Sequence, residues 1–369
     1  MLLPPVKTEA HKHSMQLARK HLRNLALLAL VIIPLSACST LGYYWQAASG
    51  HLAIMHKQQP INEVLAQPGI DNKRKQQLEL AQRARDFASQ VLLLPENDSY
   101  RRFADLGRPF AVWNVVAAPE LSVTAEHWCF LFVGCVSYRG YFAKEDAEAL
   151  AGTLRTQGMD VYVGGVAAYS TLGYFDDPLL STMLKQDEAA LVGLIFHELS
   201  HQLVYIKGDS EFNEAFATAV EQEGVRRWFL AKGQAEPYQR YVQELQFSRE
   251  FYQLLRGARA ELKQCYASTA SSVEKRAQKQ ALLIALKNHY QQWKAQSKDT
   301  RFDRWMEQDL NNAHLALVAT YHEQVPAFMA LLVNQKGDLA AFYQAVKELA
   351  ELEKGARHAR LDDNLSGSP

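Results

Sequence analysis

Near the middle of the chain an apolar run, Glu188-Ala189-Ala190-Leu191-Val192-Gly193-Leu194-Ile195-Phe196, leads straight into His197-Glu198-Leu199-Ser200-His201. The run is apolar enough to be a buried helix, and that constrains everything packed around it. His197 and His201 are four residues apart, so they share one helix face and can offer two imidazole nitrogens to one ion. Glu198 follows the first histidine by one position. In this spacing its carboxylate binds no metal; it takes a proton from the attacking water and returns it to the leaving amine. The pattern points to a peptidase using one Zn2+.

A catalytic zinc takes a third protein ligand and keeps one position open. Val204 and Lys207 stand where the metzincin extension requires Gly and His, which excludes that subclass. Gly208-Asp209-Ser210 reads as a helix stop followed by an N-cap, and a new helix begins at Glu211-Phe212-Asn213-Glu214-Ala215-Phe216-Ala217-Thr218. From His201 the first helix descends about 10 Å to Gly208, and the second climbs back about 7 Å by Glu214. An antiparallel pair therefore sets Glu214 beside both histidines. Glu211 is the rival ligand, but in the first turn an acid also suits the helix dipole. Thr218 and Glu221 lie one and two turns further on the same face. Either is placed to hydrogen-bond a ligand histidine, and an ordinary polar face between helices explains them equally well.

The chain opens with basic residues and then the apolar run Leu25–Leu35, ending in Leu35-Ser36-Ala37-Cys38. Eleven helical residues at about 1.5 Å each reach roughly half of a ~30 Å hydrocarbon layer, the length of a secretory signal rather than of a span. Residues 1–37 are thus expected to be a lipoprotein signal peptide, with Met15 an alternative start. The four residues match a bacterial lipobox, in which the cysteine is diacylated, and Ser39 resembles the pattern that sorts to the outer membrane. The expected location is the periplasmic side of a bacterial membrane, anchored through Cys38. Without those residues the chain keeps 35 basic and 39 acidic residues, a net of −4, which leaves no electrostatic footprint for nucleic acid. In an oxidising compartment Cys129 and Cys135, bracketing Phe130–Gly134, are expected to pair. A metal site on these two is disfavoured because no second pair follows, and Cys265 is left as a lone thiol.

Residues 38–369 are expected to form a single α+β domain, mainly helical, with a small antiparallel or mixed sheet in its N-terminal half. The sheet part spans about 100–185 and the helical part about 186–355, with a frayed tail at 356–369. Residues 59–95 read as one helix, 107–141 as strands, and 144–157 as a helix before the β-rich run Val161–Ser170. Pro237, Pro326, Gly208, Gly257 and Gly337 punctuate the helical part. The stretch around Gly165, Ala167 and Tyr169 is in the place where an edge strand would pair with a peptide substrate; a strand with a bulge at its glycines explains it equally. Tyr321, with Tyr169 and His322 as alternatives, is the candidate to steady the oxyanion.

Asn213-Glu214-Ala215-Phe216-Ala217-Thr218 after the histidine pair resembles the gluzincin pattern, in which the NE dipeptide opens the second zinc helix. The chain departs from that pattern in two ways. Only twelve residues separate His201 from Glu214, fewer than in thermolysin-like and leukotriene-hydrolase-like enzymes, and there is no GxMEN exopeptidase motif. Nearly the whole mature chain resembles the bacterial predicted-aminopeptidase lipoprotein family, through Gly42-Tyr43-Tyr44-Trp45-Gln46-Ala47, Tyr138-Arg139-Gly140-Tyr141-Phe142, Ala168-Tyr169-Ser170-Thr171-Leu172-Gly173 and the two zinc helices. The resemblance implies a zincin-like metallopeptidase acting on peptides. A different class of reading is an envelope lipoprotein that keeps the helices as a partner-binding scaffold, against which stands Glu198, since a structural metal needs no general base beside it. Hydrolysis of other amide bonds, such as those of cell-wall stem peptides, is a third.

Overall fold

The computed structural model describes residues 41–130, 134–317 and 324–366. The chain divides into a unit ending at Ala53 and a second unit beginning at Ile54. Cys38 and the expected signal peptide lie outside the described residues, as do Tyr321 and His322. Residues 41–57 form α1. Among the described residues no helix is long and apolar enough to cross a membrane.

The N-terminal half of the second unit combines short strands with three helices. β1 (Gln58–Pro60) leads into α2 (Ile61–Leu65) and α3 (Asn72–Gln90). The single helix expected over 59–95 is thus two, because Pro68-Gly69 interrupts it and Asp71 starts a new one by accepting from the Arg74 N–H at 2.9 Å. The strands do not make the one sheet expected. β2 (Arg102–Ala104) pairs antiparallel with β1 and parallel with β8 (Leu179–Leu180). A separate antiparallel sheet has β3 (Val112–Pro119) at its centre, flanked by β6 (Arg139–Tyr141) and β7 (Met159–Val166). Val115, Val116, Ala117 and Ala118 are all fully buried, so this sheet is covered on both faces. α4 (Lys144–Thr156) packs on β3 and β7. The third piece is the hairpin of β4 (Trp128–Phe130) and β5 (Gly134–Val136), in which Cys129 and Cys135 face each other and are joined by a disulfide. Cys265 is a free, buried thiol.

From residue 188 the chain is helical: α5 (Glu188–Leu203), α6 (Ser210–Ala231), α7 (Ala235–Ala267), α8 (Ser272–Ser297), α9 (Asp303–Met306), α10 (Asn312–Ala316), α11 (Val325–Asn334), α12 (Leu339–Ala350) and α13 (Lys354–Ser366). Pro326 lies in the first turn of α11, where a missing N–H costs nothing. Gly257 does not punctuate, but lies inside the 33-residue α7.

α5 and α6 sit in the larger of the apolar cores, with Phe196, Phe216, Phe328 and Phe342 fully or nearly fully buried. Each such ring contributes on the order of 2–3 kcal/mol of burial. A second core joins α7, α8 and α9, where Phe251 and Phe302 stack at 3.8 Å. Lys279, nearly buried on α8, ties this part to the sheet by pairing with Asp160 at 2.6 Å, and the same carboxylate caps α10 by accepting from the Asn312 N–H at 2.8 Å.

The expected frayed tail is instead α13, with Leu361 fully buried. Arg357 explains why it is held. Its guanidinium pairs with Asp209 at 2.9 Å and donates to the carbonyls of Leu352 and Ala350, at 2.7 and 3.2 Å, at the end of α12.

Candidate metal centre and active site

The centre is built where α5 and α6 pack side by side. Asp187 starts α5 by accepting from the Ala190 N–H at 2.9 Å. Two glycines let the helices approach closely. A Cβ on Gly224 would lie 2.6 Å from Phe196 Cδ2, and one on Gly193 would lie 3.1 Å from Glu221 Cγ. The pair runs antiparallel. Glu188, at the start of α5, accepts from Trp228 Nε1 near the end of α6 at 2.8 Å, whereas His201 faces Glu214 near the start of α6.

The link between the helices is shorter in helix and tighter than the sequence suggested. α5 stops at Leu203: Val204 is extended, and Val204-Tyr205-Ile206, one aromatic and two β-branched residues, leave the helix instead of continuing it to Gly208. The Asn213 side chain then closes the link. Its Oδ1 accepts from the Ile206 N–H and its Nδ2 donates to the Ile206 carbonyl, both at 2.8 Å. Asp209 precedes α6 without capping it by side chain. Its carboxylate turns instead to α13, meeting Arg357, His358 at 2.9 Å and Lys354 at 3.4 Å. The disulfide hairpin reaches the same link: Gly134, at φ +81°, leaves no room for a side chain, since a Cβ there would lie 2.8 Å from both Gly208 N and Lys207 Cγ.

With the link fixed in this way, His197, His201 and Glu214 converge so that one donor atom from each lies within 4.8 Å of the others, an arrangement that could hold a metal ion. His197 Nε2 is 3.3 Å from Glu214 Oε2, and His201 Nε2 is 3.9 Å from Glu214 Oε1. Glu221 stands behind His197, its Oε2 3.2 Å from Nδ1. A carboxylate at that nitrogen fixes the ring and leaves Nε2 turned to the site. His201 Nδ1 is buried with no hydrogen-bond partner among the described residues. The rival Glu211 is not in the cluster. Thr218 is half-buried on α6 between Glu214 and Glu221.

The electrostatics favour a cation. Burial works against a charge on His197, but hydrogen bonds and the charges of Glu214 and Glu221 outweigh it and hold its pKa well above the usual value. Burial pushes His201 down to about 4; the charge of Glu214 opposes this and that of His197 adds to it. Burial also pushes Glu198 up to about 7; His197 opposes this, and the charges of Glu214, Asp177 and Glu221 add to it. Two imidazoles and one carboxylate are a donor set that could hold a metal ion, and the neighbouring carboxyl on α5 has raised basicity. The cluster is in reach of solvent, with the His197 and Glu214 side chains 16% and 23% exposed.

The family model described as "Putative aminopeptidase" matches residues 42–361. The chain belongs to this family. No curated protein and no solved structure matches it. For this aminopeptidase-family chain, peptide hydrolysis is therefore the coarse assignment, and the match takes in β7, α5, α6 and α13 as far as Leu361.

The three residues expected to meet substrate have partners within the chain. Gly165 lies under the Phe110 ring, the Ala167 carbonyl accepts from the Thr182 hydroxyl, and Tyr169 packs edge-on against Phe142 at 5.3 Å. Sequence reasoning passed over Tyr205, whose ring lies 6.3 Å from that of His201 and whose pKa is raised by burial and then by Glu214. Its place four residues after His201 was the one available signal.

Proposed function

We propose that this protein is a zinc-dependent aminopeptidase that hydrolyses peptides, with His197, His201 and Glu214 as ligands of one Zn2+ and Glu198 as general base. The supporting observation is the convergence of those three donors with the Glu198 carboxyl next to them on α5. A bound zinc would lower the pKa of a water and polarise the scissile carbonyl. Glu198 supplies the proton transfers: it takes one from the attacking water and delivers it to the leaving amine. Glu221 keeps His197 oriented, and Asn213 keeps Glu214 at the right height on α6. The outer edge of β7 supports backbone pairing with a substrate. Val161 turns its carbonyl outward to Asn311 at 3.2 Å, so by strand alternation Val163 and Gly165 also turn their backbone groups away from β3. Lipid attachment at Cys38, on the outer side of a bacterial membrane, belongs to the same reading and rests on the lipobox.

The test is digestion of a mixed peptide library by the zinc-loaded protein, read by mass spectrometry beside Glu198→Gln. Release of single N-terminal residues by wild type, reduced by about 10²–10⁴ in the variant, is expected. Internal cuts would make it an endopeptidase, and full activity in the variant would remove Glu198 from the mechanism.

A further inference from the structure

The helix that follows the lipobox carries an apolar face that peptide hydrolysis does not use. α1 begins three residues after Cys38, and from Leu41 to His56 it contains no aspartate, glutamate, lysine or arginine. A surface helix ordinarily turns its charged residues outward. Here the outward residues are apolar. Leu41 is 73% exposed and Trp45 75% exposed, and Ala48 is exposed as well. These positions, with Leu52 next in line, are spaced by four, three and four residues and fall along one stripe. Tyr43, Ala47 and Gly50 fall on the opposite side of the helix and are half-buried, and Ile54 in the same line is buried.

A stripe of large apolar side chains turned to water marks a surface of contact. The chain that precedes it says what covers it. The residues before Leu41 lie outside the described structure, and their sequence ends in the lipobox cysteine. An extended chain covers at most about 3.6 Å per residue, so Leu41 begins within roughly 11 Å of Cys38. The headgroup layer beside which an acylated cysteine sits is itself about 5–8 Å deep. α1 thus starts at the bilayer surface whichever way the chain turns.

The composition of α1 suits that surface. Tryptophan has an apolar body and a polar N–H, and is enriched where lipid meets water. No carboxylate is there to be repelled by anionic lipid, and no ammonium to require it. Residues 41–57 at about 1.5 Å each give a helix of ~25 Å, and among the described residues no helix is apolar and long enough to cross a membrane. Such a helix lies along the interface. A second copy would cover the stripe only where two anchored chains meet, whereas the bilayer is always in reach.

We propose that α1 rests in the headgroup layer of a phospholipid bilayer with Leu41, Trp45 and Ala48 turned into it, a second hold beside the lipid on Cys38. Its placement rests on the lipid attachment proposed above, and the experiment reads the two apart.

The full chain is purified from a bacterial envelope and reconstituted into vesicles whose lipids carry a spin label near the headgroup. A fluorophore is attached through Ala48→Cys or, away from the stripe, Gln46→Cys. Cys129 and Cys135 are paired and Cys265 is buried, so the new thiol takes the label. Mass spectrometry of the N-terminal peptide reports the acyl chains. Quenching at position 48 should be several-fold that at position 46. It should change little with added salt or when anionic lipid replaces zwitterionic lipid. Leu41→Ser/Trp45→Ser should bring it down to the value at position 46 without moving the melting temperature, and Trp45→Tyr should preserve it. Equal quenching at both positions in acylated protein would overturn the proposal and leave the lipid anchor standing. A lowered melting temperature in the double variant would overturn it too, by showing that these side chains pack within the chain. So would shielding of position 48 that rises with the protein-to-lipid ratio, which would assign the stripe to a second copy. If Cys38 carries no acyl chain, yet the protein floats with vesicles and the double variant does not, the helix proposal stands and the lipid anchor falls.

Discussion

Glu221 Oε2 lies 3.2 Å from His197 Nδ1, two helical turns along α6 from Glu214, which meets the other nitrogen of the same ring at 3.3 Å. One imidazole is therefore held between two carboxylates from one helix, and the charge of the outer one reaches the candidate metal position through the ring. Glu221→Gln keeps an acceptor for the Nδ1 proton and removes the charge. We expect zinc affinity to fall about 10–100-fold, measured by competition with a chromophoric chelator, with the far-UV spectrum unchanged. Unaltered affinity would mean that Glu221 only fills space between the helices.

Asn213 holds both backbone groups of Ile206, and so sets where α6 begins relative to α5. Asn213→Ala leaves the part-buried Ile206 N–H unpaired and removes one of two donors to its carbonyl, which keeps the Asp209 N–H at 3.1 Å, at a cost of about 1–3 kcal/mol. Thermal melting should shift down by several °C, and zinc affinity should weaken because Glu214 is the next residue. Asn213→Asp keeps the acceptor and sets a carboxylate against the Ile206 carbonyl. It should resemble the alanine variant more than wild type.

Much of the candidate centre was readable before the fold was known, because helix periodicity alone puts His197 and His201 on one face and the helix stop near Gly208 brings Glu214 back to them. What was not readable depends on contacts between distant parts of the chain. Asp209 looks like part of a helix start, yet its partner Arg357 is 148 residues away, and α13 was mistaken for a loose end because its composition is polar. The end of α5 at Leu203 follows from Val204-Tyr205-Ile206 and was legible in principle. Gly165 suggested an edge strand, and only the fold shows that the Phe110 ring lies over one face of it.

The buried Asp209 gives the protein an acid-sensitive joint. Burial tends to raise its pKa, but His358, Lys354 and Arg357 outweigh this and hold it below the ordinary carboxylate value. A group depressed in the folded state adds stability above its unfolded pKa of about 3.9, and that stability is lost as pH falls through the folded value. The stability difference between wild type and Asp209→Asn should therefore be full near neutrality and shrink below about pH 4. Urea titrations across that range measure it, and a difference that persists undiminished in acid would show that Asp209 acts through shape rather than charge.

Gly224 and Gly152 form a matched pair for testing how tightly α5 and α6 are pressed together. Both lie inside helices, where alanine is intrinsically favoured over glycine by about 1 kcal/mol. A Cβ on Gly152 of α4 meets nothing within 4 Å, so Gly152→Ala should stabilise by up to that amount. A Cβ on Gly224 would enter the Phe196 ring at 2.6 Å and Leu92 Cδ1 at 2.8 Å. Phe196 is fully buried and adjoins His197, so it has nowhere to move without shifting α5. Overpacking of this kind costs about 1–3 kcal/mol, which exceeds or cancels the helical gain. Gly224→Ala should therefore lower the melting temperature while Gly152→Ala raises it. Because α5 carries both histidines, only the first should also weaken zinc binding. Equal and stabilising effects at both positions would show that the helices have slack, and that the spacing of His197 from Glu214 is not set by their contact.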